Sequence, residues 1–202
     1  MLLNEIQQPE HQFKGIDDLI EFIQLKCSPY FTQTNKPLFR GMDIKKDLVI
    51  YKQRADRKPT SMPLGLHNAL DEEFKKRFGH PYRSNAFFAT GDRSFAGEYV
   101  EHLDPSIIIP IGNFSFCWSP EIDDLYNHIG QHDYDKPDFA KMYASETIDE
   151  GNYTDKNLDA AIESGNEIMV NGPNGFVVLD ELNVAYYSAG KYTLTEVWKE
   201  LI

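Results

Sequence analysis

The segment PLGLHNALDEEFKKRFG, residues 63 to 79, places Leu66, Leu70, Phe74 and Phe78 four residues apart. That spacing makes one stripe of an α-helix and does not suit the alternating face of a strand. Lys75, Lys76 and Arg77 suit the negative end of its dipole, and Gly79 suits the stop. A second helix is predicted over 15 to 26, where Ile16, Leu19, Ile20 and Ile23 share a face. Asp92 is placed to cap a third, running on from GDRSFAGEYVEHL. TLTEVWKELI carries a Thr193/Glu196 capping box for a helix at the end of the chain.

Between the helices lie short apolar runs bounded by turn residues, which read as strands. These are KPLFRGM (36 to 42), DLVIYKQ (47 to 53) and NAFFAT (85 to 90). SIIIPIG and FSFCWS, around Gly112 and Asn113, read as a hairpin or a bulged continuous strand. NEIMV, GFVVLDE and NVAYYS read as three late strands, with NGPNG (171 to 175) as a hairpin turn. Ser119-Pro120-Glu121 has the cap, proline and acid of a helix start. From there to about residue 163 the chain is polar and expected to be helical in short pieces. The expectation is one α+β domain, with a core over about 15–118 and 164–202 and a helical insertion over about 119–163.

The chain has 202 residues, with 32 acidic against 20 basic side chains and a formal charge of −12. That balance disfavours non-specific binding to phosphate backbones. Cys27 and Cys117 are the only cysteines; two lone thiols suit a reducing compartment, and both are expected to be buried. The N-terminal stretch lacks the basic and apolar parts of a signal peptide. No apolar run approaches the ~20 residues of a membrane span, so a cytoplasmic protein with no membrane partner is expected. His128 and His132 in HIGQHDYD are spaced for one helix face. They lack the glutamate of zinc peptidases, read as a solvated helix terminus, and no metal is assigned. There is no glycine-rich phosphate loop.

Three polar positions on apolar strands stand out. Arg40 lies inside PLFRGM, where a guanidinium that cannot be neutralised calls for an anionic partner or ligand. Gly41 after it allows close approach to the backbone. In RSNAFFATGDRSFAGEY, Ser84, Asn85, Thr90 and Asp92 surround a phenylalanine-rich strand. Glu167 opens the run NEIMV. Taken singly these residues read as a core ion pair, a hydroxyl cap and a strand end.

In this order they resemble the mono-ADP-ribosyltransferases of the arginine–serine–glutamate type, which include bacterial toxins and phage-encoded enzymes. Phe39-Arg40-Gly41 is similar to the family's arginine strand. FFATGD with Ala96 and Tyr99 is similar to its serine strand and the helix that follows. Glu167 in Gly165-Asn166-Glu167 matches its catalytic glutamate. The resemblance implies a split β-sheet core with flanking helices, NAD as substrate and a host protein or nucleic acid as acceptor, in the host cytoplasm if phage-encoded. It implies that Arg40 holds the dinucleotide phosphates and that Ser84 or Thr90 fills the serine role. Phe88, Phe95 or Tyr99 would stack on nicotinamide, and Glu167 would stabilise an oxocarbenium-like transition state. Arg54 and Arg57 would extend the phosphate or acceptor surface. The family carries Glu or Gln two residues before the catalytic glutamate, where this chain has Gly165, so arginine is not implied as the acceptor. Two other readings fit the same residues. One is a non-catalytic acidic binder, such as an inhibitor or virion-associated phage protein; the other is an NAD glycohydrolase with water as acceptor.

Overall fold

The computed structural model describes residues 13–42, 44, 47, 49–53, 58–59, 62–100, 104–129 and 136–202. Arg54, Arg57 and His132 lie outside them. The expected amphipathic helices form. α1 (Ile16–Lys26) buries Ile16, Leu19, Ile20 and Ile23, and the short α2 (Ser28–Phe31) follows it. β1 (Leu38–Arg40) and β2 (Ile50–Tyr51) precede α3 (Leu64–Phe78), which buries Leu66, Leu70 and Phe74. Gly79 ends α3 with φ 84, and its N–H donates to the Lys75 carbonyl, an arrangement that favours glycine. Next come β3 (Phe87–Ala89), α4 (Arg93–Gly97), β4 (Ser106–Pro110) and β5 (Ser115–Trp118). Asp92 caps α4, as expected, by accepting from the Ser94 and Phe95 N–H groups.

The region after β5 contributes α5 (Leu125–His128), α6 (Pro137–Glu150) and α7 (Leu158–Ser164), followed by β6 (Ile168–Asn171) and β7 (Phe176–Leu179). The chain continues through α8 (Glu181–Ser188) and α9 (Leu194–Leu201). In α9 the Thr193 N–H donates to the Glu196 carboxylate at 2.8 Å, and the Glu196 N–H donates back to the Thr193 hydroxyl at 3.3 Å.

The architecture is α+β with two antiparallel sheets. One sheet runs β1-β4-β7-β2 and the other β3-β6-β5. Leu38 lies opposite Ile108, and Ile108 opposite Val178; Phe88 lies opposite Met169, and Met169 opposite Cys117. The sheets meet at one bridge: the Phe39 N–H donates to the Thr90 carbonyl at 2.8 Å, and the Thr90 N–H donates back at 2.9 Å.

Side chains alternate across the three-stranded sheet as the pleat demands. Ile168, Val170, Phe116 and Trp118 join the main core shared with α1, α8 and α9. Met169 and Cys117 face a second core with Leu66, Leu70 and Phe74 of α3 and Ala140, Ala144 and Ile148 of α6. The predicted helical insertion therefore completes the covering of this sheet.

Four local expectations are corrected. The runs flanking Gly112 form neither a hairpin nor one strand, because β4 pairs with β1 and β7 while β5 pairs with β6. For the same reason NGPNG is no hairpin turn: it carries the chain from one sheet to the other. NVAYYS is helical. Asp180 accepts the Asn183 N–H at 2.8 Å and Asn183 accepts the Asp180 N–H at 3.0 Å, a reciprocal cap that starts α8. Ser119 does accept the Glu121 and Ile122 N–H groups at 3.1 and 2.8 Å, but for a single turn. The helix begins only at Leu125, capped by Asp124.

Both cysteines are fully buried. Burial pushes the Cys27 thiol up to about 12 and the Cys117 thiol up as well, again chiefly by desolvation. Neither is expected to react with a thiol reagent at pH 8 in the native protein, whereas both should react in denaturant. The unfolded Cys27 thiol ionises near its ordinary 9.0, well below the folded one. Its contribution to stability is therefore present below pH 9 and lost as pH rises toward 12. Among the described residues no helix is long and apolar enough to cross a membrane.

Candidate functional site

Where the two sheets part beyond the Phe39–Thr90 bridge, a cleft of about 460 Å³ opens, and Arg40, Gly41, Phe88, Thr90, Tyr99 and Glu167 all line it. Phe95, the other aromatic named with Phe88 and Tyr99, lines it too. Ser84 is not among the lining residues. It is tied to α3 instead: its hydroxyl donates to the Asp71 carboxylate and lies 3.0 Å from His67 Nε2. Of the two hydroxyls the sequence left open, Thr90 is the one in the cleft.

Arg40 ends β1, and its guanidinium packs over the Phe87 ring with Cζ 4.6 Å from the centroid. Its Nη1 donates to the Phe88 carbonyl at 2.8 Å. An arginine tethered to the edge of one sheet by the backbone of the other is pre-oriented, which lowers the entropy lost on gripping an anion. Gly41 permits a close approach to its backbone, as expected. A Cβ there would lie 2.4 Å from the Ala96 carbonyl oxygen and 2.6 Å from the Tyr99 Cβ. The close approach it permits is that of α4, which brings Phe95 and Tyr99 to the cleft wall.

Glu167 sits just before β6. Its N–H donates to the Asp123 carbonyl at 2.7 Å, so the chain after β5 fixes its backbone. Thr90 fixes the same loop from the other side, its hydroxyl donating to the Gly165 carbonyl and accepting the Asp92 N–H at 3.0 Å. Gly165 closes α7 with φ 76, a left-handed conformation that a glutamate would adopt only under strain. Thr90→Val should remove the tie while keeping the shape. A loss of about 1–3 kcal/mol in urea-monitored stability is expected, as a buried carbonyl and N–H lose their partner, whereas Thr90→Ser should retain most of it.

The structure adds side chains the sequence reading passed over. Arg83 Nη1 donates to Glu167 Oε1 at 2.9 Å, with the two side chains 11% and 17% exposed. Its Cζ lies 4.5 Å from the Phe88 ring centroid, and its backbone N–H is held by Asp71 at 2.8 Å. Asp124 caps α5 and accepts the Tyr99 hydroxyl at 3.4 Å. The Tyr99 phenol is held above its usual range by desolvation, then by the carboxylates of Asp124 and Glu167. Arg83 lies in the polar stretch HPYRSN, outside any apolar run, so the argument that marks Arg40 does not reach it. Asp124 carried no such mark, because a helix starting at Ser119 would have put it mid-helix.

Among the described residues no group of three or more His, Cys, Asp or Glu side chains is disposed to hold a metal. The cleft instead joins a cationic wall (Arg40, Arg83), an aromatic wall (Phe88, Phe95, Tyr99, Tyr126) and two carboxylates (Asp124, Glu167). Such a set can grip an anionic group, stack a flat ring and stabilise a developing cation within one space. No protein-family model matches the chain, and neither a characterised protein nor a solved structure does.

Proposed function

We propose that the cleft binds NAD and transfers its ADP-ribose to a macromolecular acceptor in the host cytoplasm, as a mono-ADP-ribosyltransferase of the arginine–serine–glutamate type. The observation that carries this reading is the convergence of Arg40, Thr90 and Glu167, at the ends of three strands far apart in the chain, on one cleft. The two sheets joined at Phe39 and Thr90 then correspond to that family's split core.

Arg40 clamps the pyrophosphate with its planar fork. Phe88, Phe95 and Tyr99 offer faces and edges for the nicotinamide ring. The bond from the ribose C1′ to the nicotinamide nitrogen breaks with its electron pair leaving on nicotinamide. Glu167 stabilises the positive charge that develops on the ribose. The acceptor's nucleophilic atom bonds to C1′, and its proton passes to the Glu167 carboxylate. Thr90 takes the serine position as a positioning residue, acting through the Gly165 carbonyl. With glycine at 165, acceptor choice rests on other groups of the cleft.

The test is incubation with adenylate-labelled NAD and cell extract, beside Glu167→Ala. Label is expected on a macromolecule with the native chain and absent with the variant. Free nicotinamide with no labelled macromolecule would replace transfer with hydrolysis, and no NAD consumption at all would leave a binding protein.

A further inference from the structure

Glu167 as it stands is neutralised by Arg83, and a carboxylate already spent on a guanidinium is a weak stabiliser of a cation on the ribose. We propose that Arg83 is a second phosphate-binding residue, whose guanidinium exchanges the Glu167 carboxylate for a phosphate of the bound dinucleotide and thereby frees Glu167 for the reaction. This rests on the reading of the cleft as an NAD site.

The geometry of Arg83 carries it. Arg83 holds Glu167 through Nη1 alone, and the same nitrogen lies 3.9 Å from the Met169 sulfur, so the fork is not used bidentately on the carboxylate. Its buried Nε has no acceptor among the described residues. A pyrophosphate, with its charge spread over several oxygens, can take both donors of the fork where the carboxylate takes one. Finally, only the side chain needs to move. The Asp71 carboxylate holds the Arg83 and Ser84 N–H groups at 2.8 and 3.2 Å, anchoring the backbone to α3. The flat face of Phe88 gives the guanidinium a surface along which to slide without losing its cation–π contact. Arg40 stacks on Phe87 and Arg83 on Phe88, rings on opposite faces of β3, and both arginines line the one cleft.

The exchange makes a prediction opposite to that for an ordinary binding residue. Glu167→Gln removes the competing charge, so ADP-ribose, measured by calorimetry on the full chain, should bind the variant about tenfold more tightly than the native protein. Arg83→Gln in the Glu167→Gln background should abolish that gain, and Arg83→Lys should keep part of it. Nicotinamide riboside, which lacks the pyrophosphate, should be indifferent to Arg83→Gln. In turnover, Arg83→Gln should raise KM for NAD with kcat held or increased. A residue that merely staples Glu167 in place would lower kcat and leave KM alone, which overturns the exchange. It is equally overturned if the gain in ADP-ribose affinity persists without Arg83, since relief of repulsion then explains it, or if no gain appears. If neither NAD nor ADP-ribose binds the native chain, the dinucleotide reading falls and the exchange falls with it.

Discussion

Glu167→Gln is expected to lower NAD consumption roughly 10²–10³-fold, the loss seen when one fixed electrostatic contact to a transition state is removed. The fold should survive. The glutamine oxygen still accepts from Arg83 Nη1, and the Glu167 N–H to the Asp123 carbonyl is untouched. A stability loss of about 1 kcal/mol is expected, because the hydrogen bond remains and the charge does not. Glu167→Ala should be as inactive but less stable by about 2 kcal/mol, as it strips a largely buried guanidinium of an acceptor. Activity and urea denaturation measured on both variants separate the two effects. Equal inactivity at unequal stability assigns the carboxylate to chemistry. Activity that tracks stability assigns it to holding the fold.

The second large effect is structural. Gly91→Ala is expected to cost about 3 kcal/mol or more, the upper range for forcing atoms into a filled space. A Cβ at residue 91 would lie 1.8 Å from the Ile162 carbonyl oxygen and 2.6 Å from its carbon, both backbone atoms of α7. Neither can rotate away. Gly91 stands between Thr90, which holds the Glu167 loop, and Asp92, which caps α4, so any shift displaces both cleft walls. Gly79→Ala makes a useful comparison. A Cβ there meets nothing within 4 Å, and only the left-handed backbone at φ 84 opposes it. A cost of about 1 kcal/mol with unchanged activity is expected. Denaturation midpoints for the pair would distinguish crowding from backbone strain.

These sites differ in how legible they were. α1, α3 and α9 could be read from residues, since each carries its burial at helical spacing, with Gly79 to stop α3 and the Thr193/Glu196 box to start α9. The strands were visible as apolar runs, yet their partners were not. β4, β6 and β7 are buried along their whole lengths, and a strand covered on both faces carries no alternation to fix its neighbours. α8 was misread because Val184, Tyr186 and Tyr187 favour strands, while the Asp180–Asn183 cap that decides the matter is a two-residue signal. In the cleft, Arg40, Thr90 and Glu167 stood out as polar groups on apolar strands. The Arg83–Glu167 pair and the place of Asp124 depend on which segments the fold brings together, and nothing local encodes that.

The order in which the strands leave the ribosome has a consequence of its own. β7 lies inside the four-stranded sheet, between β4 and β2, although it follows the other strands in the chain. An unfinished chain that has released Arg40 and Thr90 but nothing beyond residue 166 lacks both the carboxylate and the strand that joins the halves of that sheet. Translation runs from N- to C-terminus, so the cleft is not complete until Glu167 and the β6–β7 segment have emerged. On the proposed chemistry, a chain cut short before Glu167 is inert, and the cell making the protein keeps its NAD until that residue and the strands after it are in place.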